Sequence, residues 1–166
     1  MGGRDLLNTL RWSDDRACAV SDAWTRAFLV DQGMPTLAIL FEADPQPSEV
    51  FSTDAGDEIL RIGSFDGDFD FFLNVDTGEV LFGMDRDPDP VFANTSLSAF
   101  VACLRWVDAK FPFYSSPDDT SVKLAAGQRV REFLRSVDPA CVEAPEGFWK
   151  SFVHDVESGD YYEGSF

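Results

Sequence analysis

The chain has 166 residues, with 30 Asp and Glu against 13 Lys and Arg, for a formal net charge of −17. Such a charge repels phosphate backbones and anionic lipid headgroups, which argues against nucleic-acid and membrane-surface partners. It does not imply disorder, which also requires low apolar content. Here 45% of residues are hydrophobic, including 16 Phe and 4 Trp, enough for one core of ordinary size.

Leu6, Leu7 and Leu10 stand at helical spacing and predict a short helix, followed by Trp12 and an acidic turn. A clearer helix follows, capped by Ser21 or Asp22, with Ala23, Trp24, Ala27 and Phe28 recurring along one apolar face. Gly33 supplies a left-handed C-terminal cap, and Pro35 prevents continuation. Residues 37–41 form an apolar run suited to a buried strand or turn, and Asp44-Pro45-Gln46-Pro47 reads as a loop. Residues 58–62 alternate weakly.

Residues 68–75 alternate well. Phe69, Phe71, Leu73 and Val75 share one face; Asp68, Asp70, Phe72 and Asn74 share the other. Asp76-Thr77-Gly78 turns the chain into residues 79–84, where Val80, Phe82 and Met84 line one face, so the pair reads as a hairpin. Phe72 and Leu81 leave its second face partly apolar, which invites cover from another segment.

Residues 85–90 are an acidic, proline-spaced connection. After Phe92 the pattern turns helical. Asn94, Thr95 and Ser96 all suit an N-cap; Leu97, Phe100, Val101, Leu104 and Phe111 follow the 3.6 period, and Pro112 closes the segment. Residues 114–120 read as a loop. A further helix carries Val130, Phe133, Leu134 and Val137 until Asp138-Pro139 breaks it. A last helix opens at Pro145, with proline in the first helical position, and presents Phe148, Trp149, Phe152, Val153 and Val156. The tail, residues 159–166, is aromatic and acidic. Helices, then an antiparallel sheet, then helices predict an α+β fold: one domain, its central, mainly antiparallel sheet packed by helices.

Catalytic and metal-binding signatures are sparse. No apolar run approaches the roughly 18 residues of a membrane span, and no signal-peptide core is present, so a cytoplasmic protein is expected. Cys18, Cys103 and Cys141 are odd in number and widely spaced, as free buried thiols in a reducing compartment would be. His154 is the single histidine, so any Ser-His-Asp or Cys-His site would have to use it. Its neighbours instead suggest a surface or helix-end residue. Glycine-rich phosphate loops, a nucleophile elbow and a zinc ligand set are missing, and neither cofactor nor metal is expected. Asp66, Asp68 and Asp70 open like a calcium loop, but Phe71 and Thr77 stand where Gly and Glu are required. Asp85, Asp87 and Asp89 fail likewise at Pro90 and Ser96. Paired carboxylates also serve glycoside hydrolysis, but neither a pairing nor a cleft is legible here.

Four stretches in order carry a family resemblance: Phe28-Leu29-Val30-Asp31-Gln32-Gly33-Met34-Pro35; Ile62-Gly63-Ser64 with the hairpin from Phe72 to Val80; Val91-Phe92-Ala93-Asn94-Thr95-Ser96-Leu97 running on to Leu104; and Phe148-Trp149 after Asp138-Pro139. Together, across residues 21–157, they resemble the SUKH superfamily of bacterial immunity proteins, in particular its actinobacterial branch. Ala93, where a valine is usual, and the acidic residues 66–70 depart from the pattern. The resemblance implies a SUKH-like single domain that binds a cognate protein toxin and neutralises it without catalysis, the toxin often being a nuclease or nucleic-acid deaminase. Such a toxin presents a basic cleft, to which an acidic protein is steered.

Asp66, Asp68 and Asp70, with Asp85, Asp87 and Asp89, flank the predicted hairpin at both ends and are the candidate contacts. Phe69, and Tyr161 and Tyr162 in the tail, are candidate exposed aromatic anchors. The alternative function is a non-catalytic regulatory or adaptor module binding a cellular protein or small ligand.

Overall fold

The computed structural model describes residues 8–165. Leu6 and Leu7 lie outside the described residues, and Leu10, placed in a helix by its spacing, falls in a strand instead. That strand, β1 (Thr9–Leu10), pairs with β2 (Met34–Pro35) as a two-stranded ribbon. Between them lie α1 (Asp14–Ala17) and α2 (Ala23–Asp31). Asp22 caps α2 by accepting the Thr25 N–H. Gly33 follows at φ 73°, the left-handed conformation predicted for it, and no Cβ fits there because Leu10's carbonyl occupies the space.

The apolar run at 37–41 becomes β3 (Leu37–Ala38), a turn, and β4 (Phe41–Ala43). Then come β5 (Phe51–Ser52), β6 (Glu58–Phe65), β7 (Phe69–Asn74) and β8 (Val80–Met84). One strand the periodicity missed is β9 (Val91–Asn94), which leads directly into α3 (Leu97–Lys110). Four residues are too few to display an alternation, and the capping residues after it dominate the pattern. The second sheet has seven strands in the order β3-β4-β6-β7-β8-β9, with β5 also on β6, and every pairing is antiparallel.

The chain then enters α4 (Thr120–Val137), α5 (Pro139–Glu143) and α6 (Phe148–Ser158). One reading of this stretch is corrected. The proline at a helix start is Pro139, in α5, whereas the last helix begins at Phe148 with Gly147 as its cap. Pro145 therefore lies within the connection between α5 and α6, consistent with its inability to donate a hydrogen bond.

Phe41, Phe71, Phe100, Phe148 and Trp149 pack ring against ring where the sheet meets α3 and α6, with centroids 4.8–6.4 Å apart. The sheet's opposite face is covered as well. Phe51 meets Phe72 edge-on, Arg86 lies 6.0 Å from the Phe51 ring, and the Asp54 N–H donates to the Pro88 carbonyl at 2.8 Å. Residues 85–90 thus fold back over the second face together with the segment around Phe51. The result is a mostly antiparallel sheet with helices, an α+β domain.

Candidate functional site

The hairpin β7–β8 decides where the acidic flanks meet. In an antiparallel pair the residue before the first strand and the residue after the second lie at the same end. Phe69 is registered opposite Met84, and Phe65 opposite Phe69, so residues 66–68 and Asp85 emerge side by side. Flanks at both ends of the hairpin in sequence become one end in space.

The three-residue connection between β6 and β7 is built by Asp66 at φ 55° and Gly67 at φ 76°. Consecutive positive angles suit the right-handed twist of a hairpin, and Asp-Gly is the pair that tolerates them. The residues read as a failed calcium loop are therefore turn chemistry that holds Asp66 and Asp68 out in water. Among the described residues, no group of three or more His, Cys, Asp or Glu is arranged to hold a metal ion.

Phe69 and Met84 are 38% and 61% exposed although they continue the core-facing alternation of their strands. The helical layer ends before the strands do. Phe69 stacks on Phe82 at 5.3 Å, and Phe82 meets Phe148 at 4.7 Å, so an aromatic ladder runs from the core to the surface. Beside it a groove of about 580 Å³ is lined by Phe82, Val91, Pro145, Phe148 and His154. His154 itself is exposed, on α6.

Asp155, from a distant part of the chain, lines the same groove. Tyr161's phenol is pushed well above its ordinary range, first by burial and then by Asp155, Asp160 and Asp66. These three acids therefore converge electrostatically around one buried ring. Asp155 is itself raised by burial and by Asp160, with His154 opposing. Nothing in the local pattern of residues 155–160 signals this; only the packing of the tail against Phe113 and Phe152 brings it about. Tyr161, taken as an exposed anchor, is 6% exposed and belongs to the core, while Tyr162 is half-buried.

The remaining candidates separate. Asp70 is a correction: it is buried inside β7 and held by Arg61, whose Nε donates to its Oδ1 at 2.7 Å. Arg61 also reaches Asp44 at 3.1 Å, so Asp70 fastens the second face of the sheet. Asp87 is half-buried and ties its own loop, accepting from the Met84 and Asp89 N–H groups at 3.3 and 3.0 Å. Asp89 is exposed on the folded-back segment, and Arg86 pairs with Glu49 at 3.1 Å. Of the seven candidates, Asp66, Asp68, Phe69 and Asp85 form the exposed end of the hairpin.

The motif residues lie elsewhere, in a buried polar junction. Asn94 Oδ1 accepts from Trp149 Nε1 at 2.7 Å, and its Nδ2 donates to Asp138 Oδ2 at 3.0 Å. The Thr95 N–H also donates to Asp138 at 2.8 Å, and Ser96 caps α3. Cys103 and Cys141 are buried beside this junction, where the neighbouring Cys103 thiol and burial raise the Cys141 thiol above its ordinary value; Cys18, expected buried, is exposed because it lies just past the end of the short helix α1.

An α+β domain whose motif residues Asn94 and Trp149 are buried and whose hairpin end is exposed, acidic and aromatic has the character of a recognition protein. The chain belongs to the SUKH-4 immunity protein family, whose sequence model matches residues 3–155. Membership supports an immunity role and implies a cognate toxin as partner. No curated protein and no solved structure matches the chain significantly. No helix among the described residues is long and apolar enough to cross a membrane.

Proposed function

We propose that the protein neutralises its cognate toxin as a stoichiometric, non-catalytic inhibitor that covers the toxin's basic cleft with the open end of the β7–β8 hairpin. The observation that carries this reading is the register of Phe69 opposite Met84, which sets an exposed apolar pair among Asp66, Asp68 and Asp85. An apolar centre rimmed by charge of one sign is how tight, fast-forming interfaces are built: the rim steers encounter and the centre slows dissociation. The acidic rim suits a toxin that acts on nucleic acid, a nuclease or a nucleic-acid deaminase, because such an enzyme needs a positive cleft to hold phosphates. Asp89 extends the rim, while Asp87 shapes the loop that carries Asp85.

The test is co-expression with the toxin domain encoded by the adjacent gene. Growth is expected to be rescued, and the purified pair is expected to associate more slowly as salt rises. Failure to protect against that toxin would overturn the immunity reading. Affinity indifferent to ionic strength would overturn the electrostatic part alone.

A further inference from the structure

Among the described residues, the most exposed large apolar side chain lies at the other end of the hairpin. Trp24 on α2 is 86% exposed, although its helical spacing with Ala27 and Phe28 reads as a core face. It borders a cleft of about 430 Å³ between α2 and the start of α3, whose lining includes Asp22, Phe28, Asp31, Thr77 and Leu97. Asp22 and Asp31 are the ionisable groups of that lining among the described residues. Asp76, next in the chain to Thr77, is exposed beside it.

Asp22 is held in its charged form. Hydrogen bonds from Thr25, side chain and backbone, pull its carboxyl below the usual range, and the Arg26 charge adds to this. The Arg26 guanidinium donates to the Val20 carbonyl at 3.4 Å. The cleft thus offers a bare indole face, a hydrophobic floor of Phe28 and Leu97, and carboxylates without a lining cation. A tryptophan face is the strongest aromatic platform for a cation. Among cations, guanidinium is planar, stacks on rings and pairs with carboxylates through two bonds. A second copy of this chain, itself carrying −17, is a poor occupant, and phosphate-bearing ligands are repelled.

We propose that this cleft docks an arginine side chain from a basic protein segment, with Trp24 stacking on the guanidinium and Asp22 and Asp31 pairing with it. The proposal does not require the partner to be a toxin. It is also spatially separate from the acidic hairpin end. Gly78 of the β7–β8 turn packs against Thr25 and Asp22, whereas Phe69 and Met84 lie at the opposite end of the same strands, roughly 17 Å away at the rise of a strand.

The test is a titration of the ¹⁵N-labelled full chain with acetyl-Gly-Arg-Gly-Arg-Gly-amide, and with the same peptide carrying citrulline for arginine. The Trp24 indole N–H resonance, assigned by its loss in Trp24→Phe, is expected to shift saturably with the arginine peptide and at least fivefold more weakly with citrulline. Asp31→Asn is expected to weaken binding threefold or more, and Asp66→Asn with Asp68→Asn to leave it unchanged. Trp24→Ala is expected to abolish the shifts at the Thr77 and Leu97 amides while the rest of the spectrum stays folded. Equal response to citrulline, or shifts confined to residues 66–69 and 85, would overturn the proposal. So would a Trp24 resonance that moves with protein concentration alone, which would show a second copy in the cleft.

Discussion

Asn94 and Phe69 each sit at the end of a strand in one sheet, and their surroundings are opposite. Asn94 is fully buried, and its side-chain amide joins Trp149 to Asp138, linking β9, α6 and the start of α5. Phe69 stands partly in water, joined to the core through Phe82 and flanked by carboxylates. A carboxylate at the first place is enclosed and bound by two N–H donors; at the second it is hydrated. The polar motif residues of this chain hold the fold. The exposed end of the hairpin is built from residues outside those motifs, where replacement leaves the core intact.

The contrast breaks most visibly at the junction. Trp149→Ala removes a fully buried ring and is expected to cost about 3–5 kcal/mol, read as a fall in the urea midpoint. Asn94→Ala, which strands Trp149 Nε1 and one side of Asp138, is expected to cost about 1–3 kcal/mol by the same measurement. In both cases the fraction that remains folded is expected to bind toxin normally. A selective loss of affinity at the junction would erase the distinction between the two regions.

At the hairpin end the expected effect lies in binding. Phe69→Ala should raise the toxin dissociation rate by a factor corresponding to about 1–2 kcal/mol, and Asp66→Asn with Asp68→Asn and Asp85→Asn should slow association about tenfold at low salt. Stability in the triple variant should stay within about 0.5 kcal/mol of the parent, because all three side chains are exposed.

Smaller still is the helix cap. Asp22→Ala should cost about 1 kcal/mol. Its carboxyl is depressed in the folded protein, so its contribution is present above the unfolded value near about 4 and is lost as pH falls through the folded value. Urea midpoints of parent and Asp22→Asn are therefore expected to converge on acidification. Asp155 has the opposite sign: its folded value is raised, so its contribution is full in acid and is lost as pH rises through that value.

Much of this arrangement was legible along the chain. The hairpin, the α2 cap, the Gly33 turn and the covered second face of the sheet all follow from alternation, capping chemistry and turn residues, which act over a few positions. Alternation puts Asp70 on the second face of its strand, but a charge there reads as exposed. Its partner Arg61 lies on the neighbouring strand, and that pairing depends on strand register. Trp24 and Tyr161 exchanged expectations, the first exposed and the second buried, because periodicity says which side chains share a face without saying whether another element covers it. Met84 escaped notice as a surface residue for that reason too.

The sequence by itself determined the α+β class, the family and the excess of negative charge, since each is written in local pattern, motif order or composition. Tertiary structure decided which acids share a surface. Antiparallel closure of β7 on β8 brought Asp85 to residues 66–68, and the packing of α6 set Asp155 in the groove beside Phe82. Side chains far apart in the chain share an environment only when register and packing bring them together, and no local propensity encodes that distance.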